Sequence, residues 1–308
     1  MNQMMKNRDG GIKKIIKKRI ESQRTLKKMN KRNKLRTTGT PPSPIDPSLT
    51  RDEIRRGVGK TKPTLVTKPT LEIKEPISII VTAWQTQDFI EECLDSIENQ
   101  TYFINNNDYE ILIGVDACQD TLNKLFEIKH KYRNLEIFMM NSNKGTYVTT
   151  NTLLNLIKFE NILRFDSDDV MILEMVNEIM YFKDDYNLIR FRYYKKFHDK
   201  IIEEKKKIQY AHGVAFFKCM LFDELGGYQP WMCAADTELM KRGESLINEK
   251  LIHKPLFYRR YRDDSLTGNQ EFGMKSEYRK NCYESFFDKE YNNSNYKINR
   301  KTNSYVRC

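Results

Sequence analysis

Apolar residues are sparse through the first 74 positions and then settle into two alternating patterns. PISIIVTAW (76–84) is a continuous apolar run and predicts a strand buried on both faces. DFIEECLDSIENQ (88–100) follows, with apolar residues at 89, 90, 94 and 97; that stripe predicts a helix, and Asp88 reads as its N-cap. The same alternation continues with YEILIGVDA (109–117) as strand, DTLNKLFEIKHKY (120–132) as helix, LEIFMM (135–140) as strand and GTYVTTNTLLNLIK (145–158) as helix. NILRFDSDD closes it as a fourth strand. Strand and helix alternating in units of about 30 residues predict an α/β fold with a mostly parallel sheet covered on both faces. Beyond residue 170 the pattern loosens. YNLIRFRYY (186–194) and KIQYAHGVAFFK (207–218) read as strands, ELGGYQPW (224–231) as a loop and AADTELMKRGESL (234–246) as a helix.

Charge changes the picture of the N-terminal segment. The chain of 308 residues carries a formal +11, but residues 1–74 hold 21 Lys+Arg against 6 Asp+Glu, which leaves the body slightly acidic. A basic-protein argument for nucleic-acid binding therefore cannot be made for the body. Residues 1–40 read as a basic arm and 41–74 as a Pro-rich linker. Within the arm, Ile12, Ile15, Ile16 and Ile20 have near-helical spacing, which suits an anionic membrane surface or nucleic acid. A solvated, disordered arm fits the same charge run. GVGKTKPT (57–64) is not a phosphate loop, because Ile54 stands where the first glycine is required. The six cysteines are irregularly spaced, with no CxxC pair, and read as free thiols. The N-terminus lacks the apolar core of a secretory signal and no run approaches the roughly 18 residues of a membrane span, so the expected setting is cytoplasmic, with peripheral membrane contact as an option.

In parallel sheets ligands gather at the carboxyl ends of the strands, so the polar residues there are the candidates. Strand one ends in Thr82, Ala83 and Trp84, strand two in Asp116, strand three leads into Lys144, and strand four ends in Asp166, Ser167, Asp168 and Asp169. Asp166 and Asp168 can share a face of the extended chain, where two carboxylates repel unless a cation lies between them. Oxygen ligands suit Mg²⁺ or Mn²⁺, which also takes substrate phosphates. An acidic helix start accounts for the same cluster without any metal. Trp84 and Asp116 together can hold a nucleobase, by its face and by an N–H, with Asp166 on a ribose hydroxyl. Taken singly, Trp84 also reads as core and Asp236 as a helix-start acid, and His212 reads as a structural histidine rather than a ligand.

The ordered set ISIIVTAWQTQDFIEECLDSIENQT, YEILIGVDACQDT, NKGTYVTTNTLLN, ILRFDSDDVM, GGYQPW and ADTELMKR, over about residues 76–268, resembles the family-two inverting glycosyltransferases of GT-A type. The resemblance implies a single mostly parallel sheet flanked by helices, with a Rossmann-like nucleotide-sugar half (75–170), a mixed acceptor half (171–285) and a polar tail (286–308). It implies metal-dependent transfer of a sugar from a nucleoside-diphosphate sugar, UDP-linked by expectation, to a hydroxyl of a glycan, lipid or protein. Asp236 would be the base and Asp168, with Asp166, would hold Mn²⁺ or Mg²⁺. Thr82, Trp84, Asp116, Lys144, Asp166 and Arg262 would bind the nucleotide. Two departures stand out: Thr149-Thr150-Asn151 replaces the family's Ala-Arg-Asn, and Arg262 replaces a histidine. Arginine cannot ligate a cation but can pair bidentately with phosphate. The competing readings are a transferase that acts on nucleic acid through the basic arm, and an inactive scaffold. A nucleotidyltransferase would show a glycine-rich basic loop after strand one, and TAWQTQD has none.

Overall fold

The computed structural model describes residues 74–308 apart from 105, 107, 198–199, 203–209, 263–264, 269 and 288–296; the expected basic arm, and the linker up to residue 73, lie outside the described residues. The alternating half of the chain forms β1 (Ile77–Ala83), α1 (Ile90–Glu98), β2 (Tyr109–Val115), α2 (Gln119–Ile128), β3 (Leu135–Met140), α3 (Thr146–Leu153) and β4 (Asn161–Asp166). These are the seven elements expected from periodicity. Asp88 does not cap α1: the N-cap is Phe89, with no side-chain cap bond.

The second half adds β5 (Val170–Met171), α4 (Met175–Met180), β6 (Leu188–Phe197), β7 (Lys200–Ile202), β8 (Ala215–Lys218), α5 (Cys219–Leu225), α6 (Ala235–Arg242), β9 (Glu249–Tyr261), α7 (Glu277–Phe287) and β10 (Tyr305–Arg307). All ten strands belong to one sheet, in the order β10-β3-β2-β1-β4-β8-β6-β9-β5, with β7 paired to β6. β3, β2, β1 and β4 run parallel, and β8 turns antiparallel against β4. The second half thus extends the first half's sheet instead of forming its own.

The core follows from strand alternation. Every residue of β1 is buried. Ile77, Ile79 and Val81 face one layer with Ile90, Cys93, Leu94 and Ile97 of α1, while Ile80 faces the other with Leu112, Phe138, Ile162 and Phe217. Successive side chains of a strand point to opposite faces, so a strand covered on both sides reads as a continuous apolar run. The residues 297–308, expected as a polar tail, are docked on the body. Ile298 is buried and its N–H donates to Leu225 O, Asn303 N donates to Thr152 Oγ1, and β10 pairs antiparallel with β3. Among the described residues no helix is long and apolar enough to cross a membrane.

This topology positions the candidate site. In the parallel register Thr82 lies opposite Gly114 on one side and Asp166 on the other. The chain therefore leaves β1, β2 and β4 at the same edge, and the residues that follow converge there.

Candidate active site

One cavity of about 400 Å³ opens at that edge. It is lined by Thr82, Trp84, Asp116, Asp166, Asp168, Asp236 and Arg262, seven of the eight residues singled out from the sequence. Lys144 is the exception. Its side chain is exposed and off the lining, and it enters through its backbone, whose N–H donates to Asp116 Oδ1 at 3.0 Å.

Among the described residues three non-glycine residues take the left-handed conformation: Gln85 (φ 52°), Ala117 (φ 54°) and Ala234 (φ 66°). They stand just past β1, just past β2 and at the N-cap of α6, each within two residues of one that lines the cavity. Such backbone costs on the order of 1–3 kcal/mol per residue and persists only where the surroundings hold it. Here it turns the chain sharply where Trp84, Asp116 and Asp236 face the cavity.

Asp116 is 3% exposed, and its two oxygens accept from Lys144 N (3.0 Å) and Gly145 N (2.8 Å). Burial pushes this carboxyl up, against the opposing pull of the two backbone donors. Gly145 has φ 83° and caps α3, so the carboxylate of β2 fixes the start of that helix. Trp84 remains 43% exposed at the mouth, its ring available to a flat ligand.

The aspartate cluster is neutralised from inside the chain. Asp166 Oδ1 lies 3.3 Å from Arg164 Nη2, and Asp168 Oδ2 lies 3.1 Å from Arg262 Nε. Arg164 rises from the buried strand β4 and is 3% exposed. It donates to Thr146 Oγ1 (2.8 Å), to Thr150 Oγ1 (3.3 Å) and to Gly213 O. A guanidinium therefore reaches Thr150 from β4, in the region where the family's Ala-Arg-Asn would have supplied one from α3. Asp169 is no helix-start acid, since the next helix begins at Met175. It is buried, its Oδ1 accepts from Arg260 N at 2.8 Å, and it ties the turn after β4 to β9. Its Oδ2 has no hydrogen-bond partner. Burial first, and then the charges of Asp168 and Asp166, push this carboxyl well up. Asp168 is raised for the same reasons, burial first and Asp166 second, with Arg262 opposing.

Asp236 sits at the start of α6, and its Oδ1 accepts from Thr237 N at 2.8 Å. Tyr147 of α3 faces it; burial first and the Asp236 charge second hold that phenol well above its usual range. His212 Nδ1 lies 3.2 Å from Thr237 Oγ1, and burial lowers its pKa, which favours the neutral ring. His212 is thus partnered, as a structural histidine would be, yet it lines the cavity. Gly213 is the narrow point. A Cβ there would stand 2.9 Å from Arg164 Nη1, 3.6 Å from Asp236 Oδ2 and 3.8 Å from Asp166 Oδ2. Asp236 Oδ2 and Asp166 Oδ2 therefore both approach the space beside Gly213, which a side chain there would crowd.

Arg164, Tyr147, His212, Gly213 and Thr237 complete the site, and none had been assigned a role in it from the sequence. Arg164 alone left a trace, as a charged residue inside an otherwise apolar strand. Among the described residues no group of three or more His, Cys, Asp or Glu could hold a metal by itself. Asp166 and Asp168 offer an oxygen-only pair, which fits a hard divalent ion that takes its other ligands from water and substrate phosphate. The described lining holds five carboxylates (Asp116, Asp166, Asp168, Asp169, Asp236) and five guanidiniums (Arg164, Arg259, Arg260, Arg262, Arg279), so its net charge is near zero. A cation arriving with a diphosphate would leave that balance unchanged.

Known proteins bear on this geometry. Residues 78–228 match the family model described as glycosyl transferase family 2. Over 95 residues the chain is 38% identical to a poly(ribitol-phosphate) beta-glucosyltransferase of Bacillus spizizenii, a span of 30% of this chain and 15% of that protein. Over 95 residues it is 32% identical to an uncharacterized glycosyltransferase of Haemophilus influenzae, 30% of this chain and 28% of that one. Among solved structures, residues 1–349 of S. aureus TarS in complex with UDP-GlcNAc superpose with a TM-score of 0.53 at 16% identity, covering 62% of this chain and 60% of that chain. The complex of the same protein with UDP gives 0.52 at 17%, covering 61% of each. At such identity the likeness is one of fold. The chain spans less than two thirds of each of these relatives. Through residues 78–228 the chain belongs to glycosyl transferase family 2, on an α/β fold shared with a GT-A type glycosyltransferase.

Proposed function

We propose that this protein transfers a sugar from a nucleoside-diphosphate sugar to an acceptor hydroxyl by a single inverting displacement. The observation that carries the reading is the convergence of Thr82, Trp84, Asp116, Asp166, Asp168, Asp236 and Arg262, from five separate segments, on one cavity. Trp84 and Asp116 would take the base, and Asp166 the ribose. Arg262 would take the diphosphate, by the bidentate pairing that guanidinium offers phosphate. Asp168 with Asp166 would hold a divalent cation, which supplies charge neutralisation on the leaving diphosphate.

Asp236 is the base: it accepts the proton of the acceptor hydroxyl as that oxygen attacks the anomeric carbon, and the bond to the diphosphate breaks. No enzyme nucleophile and no second acid are needed, because the leaving group is already a good one. The approach of Asp236 Oδ2 and Asp166 Oδ2 to the same space beside Gly213 supports this assignment, since it brings the base and a nucleotide-binding carboxylate to one part of the cavity. Tyr147 and Thr237 orient the carboxylate.

The likeness to a poly(ribitol-phosphate) glucosyltransferase and to a protein holding UDP-GlcNAc makes UDP-glucose and UDP-GlcNAc the first donors to try, and a polyol-phosphate chain the first acceptor. The test is turnover of a nucleotide-sugar panel with Mn²⁺ by the wild type, Asp236→Asn and Asp168→Ala. Asp236→Asn should lose about 10²–10⁴ in kcat with donor binding kept. A wild type that neither binds nor turns over any nucleotide sugar, or an Asp236→Asn variant of undiminished rate, defeats the reading.

A further inference from the structure

The two aspartates at the end of β4 are paired with two arginines that reach them from different parts of the fold. Arg164 is part of a central strand, donates to Thr146, Thr150 and Gly213 besides pairing with Asp166, and stacks over Tyr147 at 5.8 Å. Arg262 stands just beyond the end of β9, with Asp168 and the carbonyl of Gln85 (3.3 Å) as hydrogen-bond acceptors and Phe89 beneath its guanidinium at 5.0 Å. Its side chain and that of Asp168 are 15% and 16% exposed. A guanidinium thus covers the carboxylate that a divalent cation would need.

We propose that Arg262 is a latch on Asp168 that a nucleoside diphosphate opens, so that divalent-cation binding at Asp168 is conditional on the nucleotide. The inference rests on the nucleotide-sugar reading and extends it to the order of assembly. A cation arriving alone must displace a half-buried guanidinium from Asp168, and two cations then share one small space. Like charges in a partly desolvated site repel strongly. A diphosphate alters this in two ways. It offers the guanidinium two rows of oxygens in the fork geometry that suits it, and it brings the negative charge that makes a second cation welcome. With two protein carboxylates and no third ligand among the described residues, the cation also gains phosphate oxygens that it lacks otherwise. Arg164 is fixed in a central strand and pairs with Asp166, so the latch on Asp168 is assigned to Arg262.

Linkage makes the proposal measurable without turnover: if the nucleotide tightens the cation, the cation tightens the nucleotide by the same factor. Full-length protein, stripped of metal with chelator, is titrated with Mn²⁺ and free Mn²⁺ is followed by its electron paramagnetic resonance signal, alone and with saturating UDP. The wild type should bind Mn²⁺ at least about tenfold more tightly with UDP, within the usual range of coupling between sites. Arg262→Gln should bind Mn²⁺ alone about tenfold more tightly than the wild type, with the coupling factor falling toward one. Asp168→Asn should bind it in neither state. Equal Mn²⁺ affinity of the wild type with and without UDP, while UDP itself binds, overturns the latch and leaves the nucleotide-sugar reading standing. A wild type that binds none of UDP, GDP, CDP, ADP or dTDP, with or without Mn²⁺, removes that reading and the latch with it.

Discussion

Replacing Arg242 with leucine tests whether α6, the helix that carries Asp236, is held by a buried ion pair. Glu238 and Arg242 lie one turn apart on α6, and both side chains are wholly buried. Arg242 meets the carboxylate with two nitrogens, Nε at 2.6 Å from Oε1 and Nη2 at 3.0 Å from Oε2. It also donates at 2.6 Å to Leu225 O and at 2.6 Å to Gly227 O, so one guanidinium joins α6, the end of α5 and the Gly-Gly loop. Leucine fills much of the volume but removes the counter-charge from Glu238 and the donor from two carbonyls. Breaking a buried pair on one side costs about 3–5 kcal/mol. For a folded body of this size each kcal/mol moves the melting temperature by roughly 2–4 °C, so a fall of roughly 6–20 °C is expected. The assay is thermal and urea unfolding followed by far-UV circular dichroism. The double variant Glu238→Leu/Arg242→Met should recover much of the loss, because a well-packed apolar pair often matches a buried ionic one. Neither residue lines the cavity, so nucleotide affinity measured well below the new midpoint should stay within about twofold. A melting shift of under about 2 °C for Arg242→Leu, or a double variant as unstable as the single, would falsify this account of how α6 is anchored.

Four further outcomes are expected. Gly213→Val places a branched side chain between Arg164, Asp236 and Asp166 and should reduce transfer about 100-fold, since small misplacements at a reacting centre cost that much; an active Gly213→Val enzyme would remove this glycine from the site. Asp116→Ala strips the acceptor from two backbone N–H groups and should cost about 1–3 kcal/mol of stability in urea titrations, besides nucleotide affinity; a variant of wild-type stability contradicts that. Lys144→Ala should leave nucleotide affinity by calorimetry within about twofold, because only the backbone of that residue meets the site. His212 titrates lower in the fold than in the unfolded chain because burial disfavours its charge. Its contribution to stability is therefore full above pH about 6.5 and is lost as the pH falls below that. Melting temperature against pH should decline more steeply in that window for the wild type than for His212→Gln, and parallel curves would exclude this titration.

The elements legible in the sequence share one physical property: their local pattern is their tertiary role. β1 through β4 are covered on both faces, so each reads as a largely apolar run, and α1 shows a single buried stripe because it packs on one layer only. β9 was missed for the opposite reason. EKLIHKPLFYRRY carries charges that look like a solvated loop until their partners across the sheet are known. Glu249 pairs with Arg190, and Arg259 stacks over Tyr193 at 5.4 Å and Tyr261 at 5.6 Å. β10 is an exposed edge of three residues. The segment before it is tied down by polar contacts from Arg300 and Asn303 to positions more than 70 residues away, which no local periodicity can announce.

The same division runs through the site. Residues that leave a strand directly into the cavity, such as Trp84, Asp116 and Asp168, could be read from strand ends alone, because a parallel sheet brings its carboxyl ends together. Tyr147, Gly213 and Thr237 enter from elements whose approach depends on packing, and only the folded chain brings them beside Asp236. The aspartate cluster shows what packing adds to such a reading. Stacked carboxylates at a strand end suggested a cation between them, and the fold supplies two guanidiniums at the same place. Arg164 belongs to the strand that carries the aspartates, whereas Arg262 arrives from 94 residues away in sequence. The first is held by the sheet beside Asp166, while in the proposed latch the second exchanges its carboxylate for a phosphate. Whether Arg262 exchanges its partner is therefore the question that the fold raises and that charge and spacing alone do not pose.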